Sequence, residues 1–209
     1  IWHPTKIEVA IKKLETVKES PSLYCCRSRL INSRGSIIGY SPIKLKQPSF
    51  GNALVQSLAA GHTMIMNKAS LQVLKKTSAD INVIAHDWWT YIILSGVGGN
   101  IIFDHDIYID YRLHSENTVG TSFSFISKLK RLKQLVQGQY KKWNNLNIHA
   151  LKKSLSILSS NNKELLEKFE KLRNESIFLR NYRLYSLRIN RHNLIQTIIL
   201  HLAVLFKRI

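Results

Sequence analysis

Four short clusters in the 209-residue chain contain side chains whose types could do chemistry. They combine imidazole, carboxylate, indole and guanidinium groups at residues 2–4, 61–63, 86–89 and 111–117. In the third cluster Asp87 stands at the predicted start of a helix, directly before two tryptophans. A carboxylate there can accept the free amides of the first turn, so Asp87 is a predicted helix cap. Its two oxygens leave it able to serve as a general base as well.

The indole and guanidinium groups suggest ligand contacts. Trp88 or Trp89 could stack on the apolar face of a sugar, but successive helical residues point about 100° apart, so at most one of them can face a ligand. The alternative for both tryptophans is a place in the hydrophobic core. Arg112 is planar and permanently charged, which suits a diphosphate group. The alternative interpretation of Arg112, and of His114 two residues later, is that they lie in a surface loop and contact no ligand.

The segment Asp104-His105-Asp106 has the form of a divalent-cation motif, because paired carboxylates offer hard oxygen ligands. Short motifs of this kind often occur by chance. We therefore favour the interpretation that these residues form a solvated loop between two strands.

The elements that must position these clusters alternate between helix and strand, which predicts an α/β fold. Apolar spacing, turn residues and glycines define the individual elements. The predicted helices cover residues 4–18, 52–60, 68–76 and 88–94, and the predicted strands cover 23–31, 36–40, 61–66, 101–103 and 107–111.

In order and spacing, the four clusters resemble the C-terminal half of a family 2 glycosyltransferase of the GT-A type. The closest branch is similar to the rhamnosyltransferase-like enzymes of bacterial cell-surface polysaccharide synthesis. The resemblance covers residues 1 to about 125. Its motifs are Ile1-Trp2-His3-Pro4-Thr5-Lys6, the segment from Gly61 to Asn67, His86-Asp87-Trp88, and Tyr111-Arg112-Leu113-His114 followed by Asn117.

The resemblance implies the C-terminal half of a Rossmann-like GT-A domain that transfers a sugar from a nucleotide-sugar to an acceptor hydroxyl, with inversion. It implies that Asp87 is the catalytic base and that His114 approaches a Mg²⁺ or Mn²⁺ ion. The implied substrate-binding residues are Trp2, Gly61, His62, Trp88 and Arg112. In this family the acidic metal motif and the nucleotide-binding half would precede Ile1, so we expect this chain by itself to be an inactive fragment.

The charge of the chain is concentrated after residue 120. Residues 1–120 hold 13 Lys/Arg and 9 Asp/Glu, whereas residues 121–209 hold 18 and 4, and the net charge is +18. This shift predicts an acceptor-side catalytic part at 1–120 and a basic amphipathic helical extension at 121–209. The predicted helical stripes run through 123–143, 148–158, 161–172, 178–189 and 194–208.

An apolar stripe beside many cations suits an anionic membrane surface. The expected partners are therefore a nucleotide-sugar donor, a glycan or lipid-linked acceptor, and the inner face of the cell membrane, in a cytoplasmic setting. The adjacent Cys25 and Cys26 fit such a reducing compartment as two free thiols. An alternative is a helical bundle whose stripes pack on each other. An alternative function is a basic nucleic-acid-binding or scaffold module, although no zinc-finger, RNP-like or clear helix-turn-helix pattern supports nucleic-acid binding.

Overall fold

The computed structural model describes residues 1–113 and 138–209, and within them helices alternate with strands. The α/β class is therefore confirmed. The strands are β1 (Ser22–Ile31), β2 (Ile37–Tyr40), β3 (Ile65–Met66) and β4 (Asn100–Arg112). The helices are α1 (Lys6–Glu15), α2 (Phe50–Ala53), α3 (Lys68–Lys75), α4 (His86–Gly96), α5 (Gln139–Lys153), α6 (Ser160–Asn174), α7 (Ile177–Ser186) and α8 (Leu194–Leu205), and 3-10 turns lie at Gly61–Thr63 and Leu155–Ile157.

β1 is the central strand of the sheet. β4 runs parallel to it along its whole length, from the Ser22–Asn100 pair to the Ile31–Arg112 pair. On the other edge β2 pairs antiparallel with the end of β1, and β3 pairs antiparallel with its beginning. The predicted hairpin from strand 23–31 into 36–40 is confirmed. β1 is almost entirely buried, as expected for a strand with neighbours on both sides.

The predicted loop at Asp104–Asp106 is wrong. β4 continues through these residues with an irregularity in its pairing, which falls between Cys26 and Arg27 on β1. The Tyr24 hydroxyl donates to Asp104 Oδ2 at 3.0 Å, and the Asp106 amide donates to Asp104 Oδ1 at 3.0 Å. Aspartate is uncommon in strands. Here the irregularity in β4 and the hydrogen bond from Tyr24 accommodate Asp104 within the strand.

Three other local predictions need correction. The predicted helix over 52–60 is restricted to α2, and the predicted strand over 61–66 begins with a 3-10 turn, since the Thr63 amide donates back to the Ala60 carbonyl. Asp87 is not the cap of α4. Ala85 occupies the cap position, so Asp87 lies inside the first turn.

One hydrophobic core contains side chains from both parts of the chain, including Leu23 and Ile92 from the first and Phe169 and Val204 from the second. Polar contacts join the same parts. Asn52 Nδ2 donates to the Asn190 carbonyl at 2.8 Å, and Gln56 Nε2 donates to Gln196 Oε1 at 2.7 Å. The segment that carries α2 is therefore hydrogen-bonded to α8 and to the connection before it.

Residues 138–209 are helical, which agrees with the prediction for this part of the extension. In α6 Phe169 and Leu172 are fully buried, and Glu164 forms an ion pair with Lys168 at 2.6 Å. Ser159 occupies the cap position of this helix. Most of the predicted basic helix over 123–143 lies outside the described residues.

Candidate substrate-binding cavity

A cavity of about 230 Å³ opens beside the centre of the sheet. Its walls come from β1, from the loop that follows β2, from residues 58–63 and from β4. The polar lining includes Ser28, Ser41, Lys44, His62 and Tyr111, and the apolar lining includes Leu30, Pro42, Leu58 and Phe103. A mixed lining of this kind, concave and with a few converging polar groups, is typical of small-molecule sites.

His62 is held rigidly in the cavity wall. Its ring stacks on Tyr111 with the two planes 1° apart and the centroids at 4.3 Å. Ser28 Oγ lies 3.3 Å from His62 Nε2, within hydrogen-bonding range. Burial lowers the pKa of His62, and the nearby Lys6 lowers it further. His62 is therefore a neutral imidazole near pH 7, able to donate or accept one hydrogen bond to a ligand.

Trp2 is linked to this wall through Lys6. The Lys6 side chain is fully buried, and its Nζ donates to the His62 carbonyl at 3.2 Å. The same Nζ lies 3.6 Å from the centroid of the Trp2 ring, which is a cation–π contact. Trp2 itself is largely exposed and does not line the cavity. It covers the ammonium group that supports the backbone of His62.

Asp87 lies against the segment 60–62. Asp87 Oδ2 accepts the Gly61 amide at 3.1 Å, and Oδ1 accepts the Trp88 amide at 2.7 Å. Gly61 stands between Ala60 and His62, which both line the cavity. A Cβ on Gly61 would come within 2.6 Å of His86 Nε2, so the glycine permits α4 to approach this closely. The structure thus brings Asp87 next to Gly61, 26 residues earlier in the chain, and so close to His62.

Trp88 is buried in the core. Its Nε1 donates to the Ala53 carbonyl at 2.7 Å, and its ring meets the edge of Trp143. Trp89 is equally buried. This placement favours the core interpretation for both tryptophans over stacking on a sugar.

The predicted anion and metal residues follow β4. Arg112 is the last residue of β4, is exposed, and comes directly after Tyr111. His114 lies outside the described residues. Within 1–113 and 138–209, no group of three or more His, Cys, Asp or Glu side chains is arranged to hold a metal ion. The divalent metal therefore stays a prediction that depends on the resemblance.

Near its end, β4 is tied to β1 and to the first residues of the chain. Arg29 donates to both carboxylate oxygens of Asp110, at 2.7 and 2.9 Å, and His3 Nε2 lies 3.0 Å from Oδ1. The hydrogen bonds from Arg29 lower the pKa of Asp110 to about 2, and His3 adds to this effect. The motifs assigned no separate role to His3. Here it helps to fix the strand that carries Tyr111 and Arg112.

Lys44 is a cavity residue that the sequence did not identify. It lies in a loop bounded by Pro42 and Pro48, where no local pattern indicated a binding role. Burial lowers the pKa of Lys44 to about 8, against a weaker opposing effect from Cys25. No carboxylate among the described residues forms an ion pair with it. Its ammonium group is therefore available to an anionic ligand.

Lys44 is expected to react with acetic anhydride about tenfold faster at pH 8 than the neighbouring exposed Lys46. At that pH about half of the Lys44 side chains carry a neutral amine, compared with well below ~1% for an ordinary lysine in water. Burial and the weaker nucleophilicity of the amine offset part of this advantage. Peptide mapping by mass spectrometry after limited labelling measures both rates. Equal labelling of the two lysines would contradict the described environment of Lys44.

A scan against protein-family models, a search of curated proteins and a search of solved structures found no match to this chain.

Proposed function

We propose that this chain is the acceptor-side part of a GT-A type glycosyltransferase of family 2, with Asp87 as the general base. The observation that carries the proposal is the contact between the Asp87 carboxylate and Gly61, which stands between two residues of the cavity wall, Ala60 and His62. In the motif order described above, these residues belong to separate clusters, and the fold joins them at one site. A carboxylate, a neutral imidazole and several hydroxyl groups suit an acceptor that presents hydroxyls.

In the proposed reaction an acceptor hydroxyl lies in the cavity with its proton directed at Asp87. Its oxygen forms a bond to the anomeric carbon of the donor sugar while the bond from that carbon to the diphosphate breaks. The electron pair leaves with the nucleoside diphosphate, and the hydroxyl proton passes to Asp87. Attack from the face opposite the leaving group inverts the anomeric carbon, as the family resemblance implies.

Residues in and beside the cavity have supporting roles in this proposal. Gly61 and His62 bind the sugar of the acceptor or donor, and Lys44 and Arg112 counter the negative charge of phosphate groups. The proposed donor is a nucleotide-sugar, the acceptor is a glycan or a lipid-linked glycan, and a divalent cation assists. An anionic membrane surface on the cytoplasmic side is the proposed partner of residues 121–209.

The proposed function is tested by a transfer assay on protein that carries residues 1–209 together with a nucleotide-binding half. A panel of nucleotide-sugars is supplied with and without short glycan and lipid-linked acceptors, and release of nucleoside diphosphate is recorded. We expect acceptor-dependent release with at least one donor. If the folded protein releases no nucleotide with any donor, or does so without forming a glycosidic product, the proposal is wrong.

A further inference from the structure

Helix α7 presents its aromatic side chains to solvent and Arg180, together with Leu184, to the core. Phe178, Tyr182 and Tyr185 are 68–85% exposed, whereas Arg180 is buried and donates to the Val204 carbonyl at 2.8 Å. This arrangement reverses the usual order of a helix packed on a protein core. Large apolar groups that are exposed together are typical of surfaces that meet a partner.

Helix α8 has a similar exposed side. Its residues from 194 to 206 include no Asp, Glu, Lys or Arg, and its buried side chains are confined to Leu200, Ala203 and Val204. Five of the other apolar side chains point outward with exposures of 46–72%: Leu194, Ile195, Ile198, Leu202 and Phe206.

The exposed sides of α7 and α8 lie on the same side of the helix pair. The pair is antiparallel, because Arg180 contacts Val204 and Asn181 contacts His201 at 2.7 Å. An α-helix turns by about 100° per residue. Around the axis of α7, the exposed aromatic residues are rotated by about 40–100° from Asn181. Around the axis of α8, the exposed apolar residues are rotated by about 20–140° from His201 in the same sense. In an antiparallel pair these two rotations lead to the same side. We call the surface formed by Phe178, Tyr182, Tyr185, Ile195, Ile198 and Phe206 the outer face.

The charges around the outer face have one sign. Residues 176–209 contain six Lys/Arg and no Asp or Glu. Arg180 and Arg191 donate to backbone carbonyls, and Arg183 pairs with Glu175. Arg188, Lys207 and Arg208 are exposed near the ends of the two helices. A partner that covers the outer face therefore needs an apolar region against the aromatic and aliphatic side chains, and anionic groups around that region.

We propose that the outer face of α7 and α8 lies on the surface of an anionic lipid bilayer. Apolar and aromatic side chains enter the boundary between headgroups and acyl chains, and the surrounding cations meet anionic headgroups. Tyrosines suit this depth because one end of the ring is apolar and the other is polar. None of the described helices is long and apolar enough to cross a bilayer. The inference rests on the membrane partner proposed above and names the residues that make the contact.

The test is flotation of the 209-residue chain with vesicles, and it requires no donor, acceptor or catalytic activity. Vesicles of phosphatidylcholine alone are compared with vesicles that contain 30% phosphatidylglycerol. We expect binding to the anionic vesicles at 150 mM NaCl and at least about tenfold weaker binding to the neutral ones.

Two variants distinguish binding through the outer face from nonspecific adsorption of the protein to vesicles. The triple variant Phe178→Ser, Tyr182→Ser, Ile195→Ser is expected to lose at least about tenfold in partitioning, since each side chain contributes apolar burial in the lipid. The control variant Ile11→Ser, Ile38→Ser removes exposed apolar groups from α1 and β2 and is expected to bind as the parent does. Circular dichroism and thermal unfolding show whether both variants remain folded.

The results distinguish this inference from the proposed function. Equal binding of the parent and the triple variant to anionic vesicles, or no binding by the parent, would overturn the inference and leave the transferase proposal intact. Salt-sensitive binding to random duplex DNA that the triple variant retains, without vesicle binding, would assign the basic surface to nucleic acid instead.

Discussion

Replacement of Asp87 by asparagine is expected to lower the rate of sugar transfer by about 10²–10⁴-fold while donor binding stays the same. The asparagine amide cannot take the proton from the attacking hydroxyl. Its size and shape match those of aspartate, so the position of Gly61 changes little. Steady-state transfer rates and equilibrium binding of the nucleotide-sugar, measured on protein that also carries the nucleotide-binding half, give the two quantities.

The Asp87→Asn variant has a structural cost that must be separated from the chemical one. Asparagine has one acceptor oxygen, so either the Gly61 amide or the Trp88 amide loses its partner. We expect a loss of stability on the order of 1 kcal/mol, which leaves the protein folded. Asp106→Asn is the matched control, because Asp106 is exposed and does not line the cavity. Turnover by Asp87→Asn at the parental rate would exclude Asp87 as the base.

Acidification from pH 7 to pH 5 is expected to lower the free energy of unfolding by about 2 kcal/mol through His192 alone. His192 is 1% exposed, and burial lowers its pKa to about 3, with further lowering by Lys44, Arg191 and Lys46. The unfolded chain binds the proton near pH 6.5 and the folded chain does not. The contribution of His192 is therefore complete above pH 6.5 and is lost progressively as the pH falls toward 3.

Urea unfolding at pH 7 and pH 5 measures this loss in the parent, in His192→Gln and in His149→Gln. Glutamine does not titrate, so His192→Gln is expected to remove about 2 kcal/mol of the pH dependence, whatever its effect on stability at pH 7. His149 is exposed and serves as the control, with the parental pH dependence. The same pH dependence in His192→Gln and in the parent would show that His192 is not buried as described.

The parts of the fold that could be predicted are those where local chemistry determines the structure. β1 and its hairpin follow from the apolar runs at 23–26 and 30–31 and from the turn at Gly35, which has a φ of 86°. α4 ends where Gly98 adopts a φ of 83°. At these positions few alternatives compete, so residue type is sufficient.

Other features depend on partners that are remote in the chain. Asp104 stays in a strand because Tyr24, 80 residues earlier, supplies its hydrogen bond. Lys44 became part of a cavity only when its loop folded against β1 and residues 58–63. In α7 the periodicity predicts one apolar stripe, but it cannot show that Arg180 would be covered and the aromatic residues left exposed. Amphipathic spacing identifies a helical face and leaves its neighbour undetermined.

The hydrogen bonds that join Asn52 to Asn190 and Gln56 to Gln196 have a geometric consequence for substrate choice. Residues 52–56 lead directly into residues 58–63, which form one wall of the cavity, and their partners lead into α8 and the outer face. The cavity wall and the outer face are therefore connected by hydrogen bonds between neighbouring segments. If the outer face lies on lipid, this connection holds the cavity at a defined height above the headgroups. We then expect acceptors to be selected by the distance of their reactive hydroxyl from the bilayer as well as by their chemistry.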